Sequence, residues 1–291
     1  MKTVSIILIT LLALATTAFA APQQSFEAKV TGSGPTIIFI PGLASDGSVW
    51  DETIARYADT HQCHVLTLAG FGSSTLPPLK TDAFLKNVKT DLALYIAENH
   101  LDSPTIVGHS LGGFLALQLA IDHPQLASQL LIVDSLPFLP ASMDPTATAE
   151  SMQAQSAAQR DMMQQGGQNE AQLRMMMQMM TTAPANIDRA LALALSMQSD
   201  PATVVQAMYE LNTTDLRSQV SKIQTPTTIL GAWVAYQQVG STKESTAAIF
   251  DAQYAKLPNY QLHMSDHGKH FIMWDDPLFF QTHLDALLSK N

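Results

Sequence analysis

Cysteine is nearly missing from this sequence. Cys63 is the only one in 291 residues, so the chain forms no internal disulfide. Its place beside an apolar run predicts a buried thiol rather than a reactive one. Basic residues are scarce as well: 15 Lys and Arg stand against 25 Asp and Glu, a formal net charge of −10. That balance argues against nucleic acid or anionic lipid as a partner and fits a small neutral or apolar molecule better. The zinc-protease pattern H-E-x-x-H is absent. Beyond the first twenty residues no apolar run is long enough to cross a bilayer, so stable membrane insertion is not expected.

The exception at the start reads MKTVSIILITLLALATTAFAA: one Lys, an uncharged apolar stretch, then the small-residue series Ala18, Phe19, Ala20. The apolar part is short for a span of about 20 residues and ends in a cleavage-like pattern, so residues 1–20 are expected to be an export signal. The mature chain is then expected in the periplasm or secreted. What remains, about 270 residues, fits one α/β domain with an insertion.

Short β-branched runs alternate with helical patterns through the first half. TIIFI (Thr36–Ile40), HVLTL (His64–Leu68), TIVGH (Thr105–His109) and LLIVD (Leu130–Asp134) are bounded by Gly, Pro or Asp, as strands buried on both faces should be. Helices are predicted over Val49–Ala58, Asp82–Asn99 and Leu111–His123. This alternation implies βαβ units around a mostly parallel sheet flanked by helices. From Pro137 to Val220 the strand signal stops and helical stretches follow, broken by Gly166, Gly167, Pro184 and Pro201. Strand patterns return at Thr225–Gly231 and Asn259–Met264, with a last helix from about Leu278. Eleven of the fourteen methionines fall between Met143 and Met208. Such flexible side chains either pack small helices or mould themselves to varied apolar ligands.

The stretch GHSLG (Gly108–Gly112) matches G-x-S-x-G and lies between a predicted strand and a predicted helix. In that context the pattern is a nucleophile elbow: small flanking residues let the chain reverse sharply and leave the Ser110 hydroxyl projecting above the sheet. A hydroxyl needs a base to take its proton, commonly His oriented by a carboxylate. MSDHGKHFIMWDDP (Met264–Pro277) offers His267 and His270. HMSDHGKH also invites a metal reading, but a strand ending there would aim His263 away from the loop, so no metal or other cofactor is expected.

With these motifs in place the sequence resembles the α/β-hydrolase family in its lid-bearing, esterase-like branch. FIPGLAS looks like the oxyanion loop, AGFGSS like the glycine-rich turn after the next strand, VGHSLGGFLALQLA like the elbow with its helix, and HFIMWDDP like the histidine loop. The resemblance implies residues 21–136 and 221–291 as two parts of a hydrolase core, with 137–220 as an all-helical, Met-rich lid. It implies Ser110 as nucleophile, His270 as base because Asp275, Asp276 and Pro277 follow at the family's spacing, and the backbone N–H groups of Leu43 and Leu111 as the oxyanion hole. The acid departs from the usual pattern. The common site after TTILG reads Gly231, Ala232, Trp233, Val234, with no carboxylate before Glu244. Some relatives carry the acid one strand earlier, where this chain has Asp134. Asp134 is therefore the expected orienting acid, with Glu244, Asp266 or an acid-free dyad as alternatives. The expected activity is hydrolysis of an ester or related acyl bond of a small, largely apolar substrate. The competing expectation is a ligand-binding protein that kept the fold and lost turnover.

Overall fold

The computed structural model describes residues 24–165, 170–195 and 199–289. The expected export signal and the Gly166–Gly167 break lie outside these residues. Among the described residues seven strands, β1 (Phe26–Thr31), β2 (Thr36–Ile40), β3 (Gln62–Leu68), β4 (Thr105–His109), β5 (Gln129–Val133), β6 (Thr227–Gly231) and β7 (Tyr260–Met264), form one sheet in the order β1-β3-β2-β4-β5-β6-β7. Every pairing is parallel except that of β1 with β3. The architecture is thus the α/β-hydrolase fold, a mostly parallel sheet flanked by helices.

The period of two along each strand sorts its side chains between two cores. Ile38, Ile40, Leu66, Leu68, Ile106, Leu130, Ile132 and Ile229 face helices α2 (Phe84–Glu98), α3 (Leu111–Asp122) and α8 (Lys243–Tyr254). Their alternates, Ile37, Phe39, Cys63, Val65, Val107, Leu131, Val133 and Leu230, face α1 (Asp51–Tyr57), α9 (Ile272–Asp275) and α10 (Pro277–Leu288). Each fully buried Ile, Leu or Val stabilises the fold by roughly 1.5–3 kcal/mol. Cys63 is wholly buried, and burial pushes its thiol up to about 11. Helix α3 is apolar on nearly every face because it packs between sheet and α2.

Three local differences from the sequence expectations have simple causes. The helix expected over Val49–Ala58 is divided: Asp46 accepts a hydrogen bond from Ser48 N at 3.0 Å and caps a 3₁₀ turn over Gly47–Trp50, after which α1 begins. Strand β1, absent from the expectations, alternates Phe26, Ala28 and Val30 with polar residues and occupies a half-exposed edge. Helix α8, also unanticipated, starts at a reciprocal cap in which Thr242 and Ser245 each bond the other's backbone.

Between β5 and β6 the described residues form α4 (Ala149–Gln165), α5 (Glu170–Met180), α6 (Pro184–Leu195) and α7 (Pro201–Thr213). They pair as α4 with α7 and α5 with α6. The first pair is fixed to the core through α7, whose Glu210 carboxylate accepts the N–H groups of Phe84 and Leu85 at 2.7 and 2.8 Å and so caps α2. In the second pair Met177, Ala190 and Leu191 pack with Phe271, Ile272 and Trp274. Among the described residues no helix is long and apolar enough to cross a membrane.

Candidate active site

The turn from β4 into α3 is built by close contact. Ser110 has φ 53° and ψ −118°, a conformation that favours glycine and costs a residue with a side chain on the order of 1–3 kcal/mol. The surroundings hold it there: Ser110 N donates to Val133 O at 2.9 Å, and Phe114 N to Ser110 O at 3.0 Å. Gly108 and Gly112 permit this reversal, because a Cβ on either would lie 2.4 Å from Gly112 O or 2.3 Å from Ile40 O. The loop after β2 crosses directly beside the serine, and a Cβ on Gly42 would sit 3.2 Å from Ser110 Cβ. Leu43 follows in that loop. Leu111 opens α3, so its N–H has no carbonyl one turn back within the helix.

On the neighbouring strand the chain turns again at a positive φ, 45° at Asp134. This residue is held from β6 at two points, its N–H donating to Leu230 O at 2.7 Å and its Oδ1 accepting from Ala232 N at 3.0 Å. The remaining oxygen, Oδ2, meets His270 Nδ1 at 2.6 Å. The Asp134 charge is felt by its neighbours. Burial first, and that charge second, raise the phenols of Tyr254 and Tyr236, and Tyr254 donates to Ser135 O at 2.8 Å. The imidazole of His270 is 22% exposed, which leaves it reachable from solvent.

One residue of this site carried no weight in the sequence analysis. His109, the residue just before the serine, is fully buried, and its ring lies 4.5 Å from that of His270. Its Nε2 is 3.0 Å from the His270 carbonyl oxygen. A carbonyl only accepts, so Nε2 carries the proton, and Nδ1 is a bare acceptor beside Gly42. Burial, reinforced by the charge of His270, holds the His109 imidazole well below its ordinary value and keeps it neutral. The G-x-S-x-G pattern places any residue at this position, so only the fold reveals the contact.

The other residues considered from sequence lie elsewhere. His267 is exposed, and Glu244 is exposed in the first turn of α8. Asp266 pairs with Lys243 at 2.8 Å. His263 stacks on His283 with ring centres 4.0 Å apart, so the crowded stretch HMSDHGKH disperses its side chains in different directions. The two acids before Pro277 have separate duties: Asp276 accepts from Ser265 Oγ at 2.7 Å, and Asp275 bonds to the segment joining α5 and α6.

A family model described as "Alpha/beta hydrolase family" matches residues 37–280, which includes both strand ends and the histidine loop. The chain belongs to the alpha/beta hydrolase family. It is similar to the pimeloyl-[acyl-carrier protein] methyl ester esterase of Aeromonas hydrophila, 31% identical over 115 residues, covering 39% of this chain and 43% of that one. The same identity over 107 residues links it to an uncharacterized protein of Mycobacterium tuberculosis, of which only 31% is covered. The chain thus spans less than half the length of these two curated relatives. Among solved structures, this hydrolase-family chain shares its fold with an esterase from Exiguobacterium antarcticum, with TM-score 0.74, 15% identity and coverage of 92% and 98% of the two chains. It also shares the fold with an enol-lactonase from Burkholderia xenovorans, with TM-score 0.66, 15% identity and coverage of 91% and 96%.

Proposed function

We propose that the chain is a serine hydrolase that cleaves an ester or related acyl bond of a small, largely apolar substrate. The observation that carries this reading is the 2.6 Å contact of Asp134 with His270, at the carboxyl end of the strand that also fixes the backbone of Ser110. The names of the esterases and the lactonase among the similar proteins point to the same class of carbonyl compound.

In this mechanism Ser110 Oγ attacks the substrate carbonyl while His270 Nε2 takes its proton. Asp134 holds Nδ1–H and stabilises the imidazolium that forms. The N–H groups of Leu43 and Leu111 bind the oxyanion, each worth roughly a hundredfold to a thousandfold in rate. Collapse of the tetrahedral intermediate passes the proton from His270 to the leaving alcohol, and a water activated by the same imidazole then releases the acid and restores Ser110. No cofactor enters any step. The four helices between β5 and β6 serve as the lid that selects the acyl or alcohol group. Residues 1–20 belong to the same proposal as an export signal, checked by an intact mass beginning near Ala21 in protein recovered outside the cytoplasm.

A fluorophosphonate probe tests the central claim. Folded protein is expected to label once, at Ser110, and Ser110→Ala to abolish both labelling and turnover of p-nitrophenyl esters. Folded protein that takes no label would instead support a ligand-binding role without turnover.

A further inference from the structure

One carboxylate outside the proposed triad joins the helical insertion to the loop that carries His270. Asp275, the last residue of α9, receives hydrogen bonds from both sides. From the α5–α6 segment come Thr181 Oγ1 at 2.5 Å, Thr182 N at 3.1 Å and Asn186 Nδ2 at 3.0 Å. From the histidine loop comes Lys269 N at 3.1 Å. Two further bonds run directly between the segments, from Phe271 N to Met180 O at 3.2 Å and from the Lys269 ammonium to Gln178 O. The residues immediately before and after His270 are therefore both tied to the end of α5, one of them through Asp275.

The apolar layer around these bonds is continuous. Met177, Ala190 and Leu191 pack against Phe271 and Trp274, and the Arg189 guanidinium lies 4.2 Å over the Trp274 ring. Thr181 is wholly buried, so loss of its acceptor would leave its hydroxyl unpaired away from water. A carboxylate can accept about four hydrogen bonds and an amide oxygen about two. An amide at 275 keeps a single accepting oxygen; in the Oδ2 place it can still take Thr182 N and Lys269 N, but it cannot accept from all four donors at once. Movement of the α5–α6 pair away from the core must loosen the backbone on either side of His270.

We infer that Asp275 is a positioning residue through which the α5–α6 segment sets the orientation of the His270 imidazole. The inference rests on the serine-hydrolase reading for its catalytic consequence, whereas the link between the two segments is measurable without turnover. Asp275 touches no reacting atom; it acts through the loop.

The test compares Asp275→Asn, Asn186→Ala and the double variant, with Asp275→Glu as the conservative replacement, using a short p-nitrophenyl ester and hydrogen exchange at the Lys269 and Phe271 amides. Asp275→Asn is expected to lower kcat on the order of 10- to 100-fold with little change in KM, the size of a misaligned base. Asn186→Ala, remote from the chemistry, is expected to lower kcat less and to add nothing in the double variant, and Asp275→Glu to recover part of the loss. Amide protection at Lys269 and Phe271 should fall in Asn186→Ala. The inference is overturned if Asn186→Ala leaves those amides protected, or if Asp275→Asn lowers the melting temperature while kcat per labelled Ser110 stays at the wild-type value. A wild-type protein with no esterase turnover whose amides still respond to Asn186→Ala would sink the proposed activity and leave the link standing.

Discussion

β5 and β6 are hydrogen-bonded neighbours that end side by side, and only one of them ends in a carboxylate. β5 runs into Asp134 at φ 45°, whereas β6 runs into Gly231, Ala232, Trp233 and Val234 and contributes a backbone N–H to the acid next door. Parallel strands lie about 4.8 Å apart, less than the reach of an Asp side chain plus one hydrogen bond. Either strand end can therefore carry the acid for one histidine, provided an oxygen arrives at Nδ1. What changes is the part played by the neighbour, since the strand without the carboxylate becomes the one that aims it.

The largest expected effect tests that division directly. Asp134→Asn should keep the fold and lower kcat by roughly 10³–10⁴, because the amide favours the wrong imidazole tautomer and carries no charge. Glu244→Gln, on an exposed helix start, should leave kcat unchanged, and a drop in the Glu244 variant alone would move the acid to that residue. Adding Val234→Asp to the Asp134→Asn protein places a carboxylate three residues past the end of β6, at the start of a 3₁₀ turn, and should return part of the lost rate. No gain would mean that the two ends are not equivalent platforms. The next effect is at His109: Phe in its place removes the donor to the His270 carbonyl and should lower kcat on the order of tenfold, while Gln, which can still donate, should keep most of it. Equal losses in the two variants would leave His109 with packing alone.

The smallest effect lies at the β7 edge of the sheet, in the His263–His283 stack. Burial, then the charge of His263, pushes His283 down to about 4 from 6.5. The unfolded chain thus binds a proton there at a pH where the folded chain does not, so stability is lost as pH falls from 6.5 toward 4 and is unaffected above that window. The melting temperature should decline across this range, and His283→Leu should lessen the decline without altering kcat per labelled Ser110, the buried His109 accounting for a further share. A decline that His283→Leu leaves intact would assign the acid sensitivity to other groups.

Residues whose meaning is local were legible in the sequence. Thr36–Ile40 and Thr105–His109 were bounded to the residue because strands buried on both faces read as unbroken β-branched runs. Ser110 was legible because a sharp reversal demands glycine at fixed offsets. Strand β1 was missed even though Phe26, Ala28 and Val30 alternate cleanly, since a short edge strand with charged neighbours has a weak pattern. The contacts of His109 and Asp275 span 161 and 94 residues, and no spacing rule connects such positions. Asp134 stands between these cases: its place at a strand end could be read, and the two anchors from β6 that orient it could not.

The backbone at Ser110 has a consequence for the molecule's history and for its engineering. A glycine there would sit at φ 53° without strain. A screen that rewards heat tolerance alone should therefore accept glycine at this position and return a sturdier protein that lacks the proposed nucleophile. Retention of the hydroxyl reports on a demand other than durability, and thermal selection of this chain needs turnover as a second criterion from the first round.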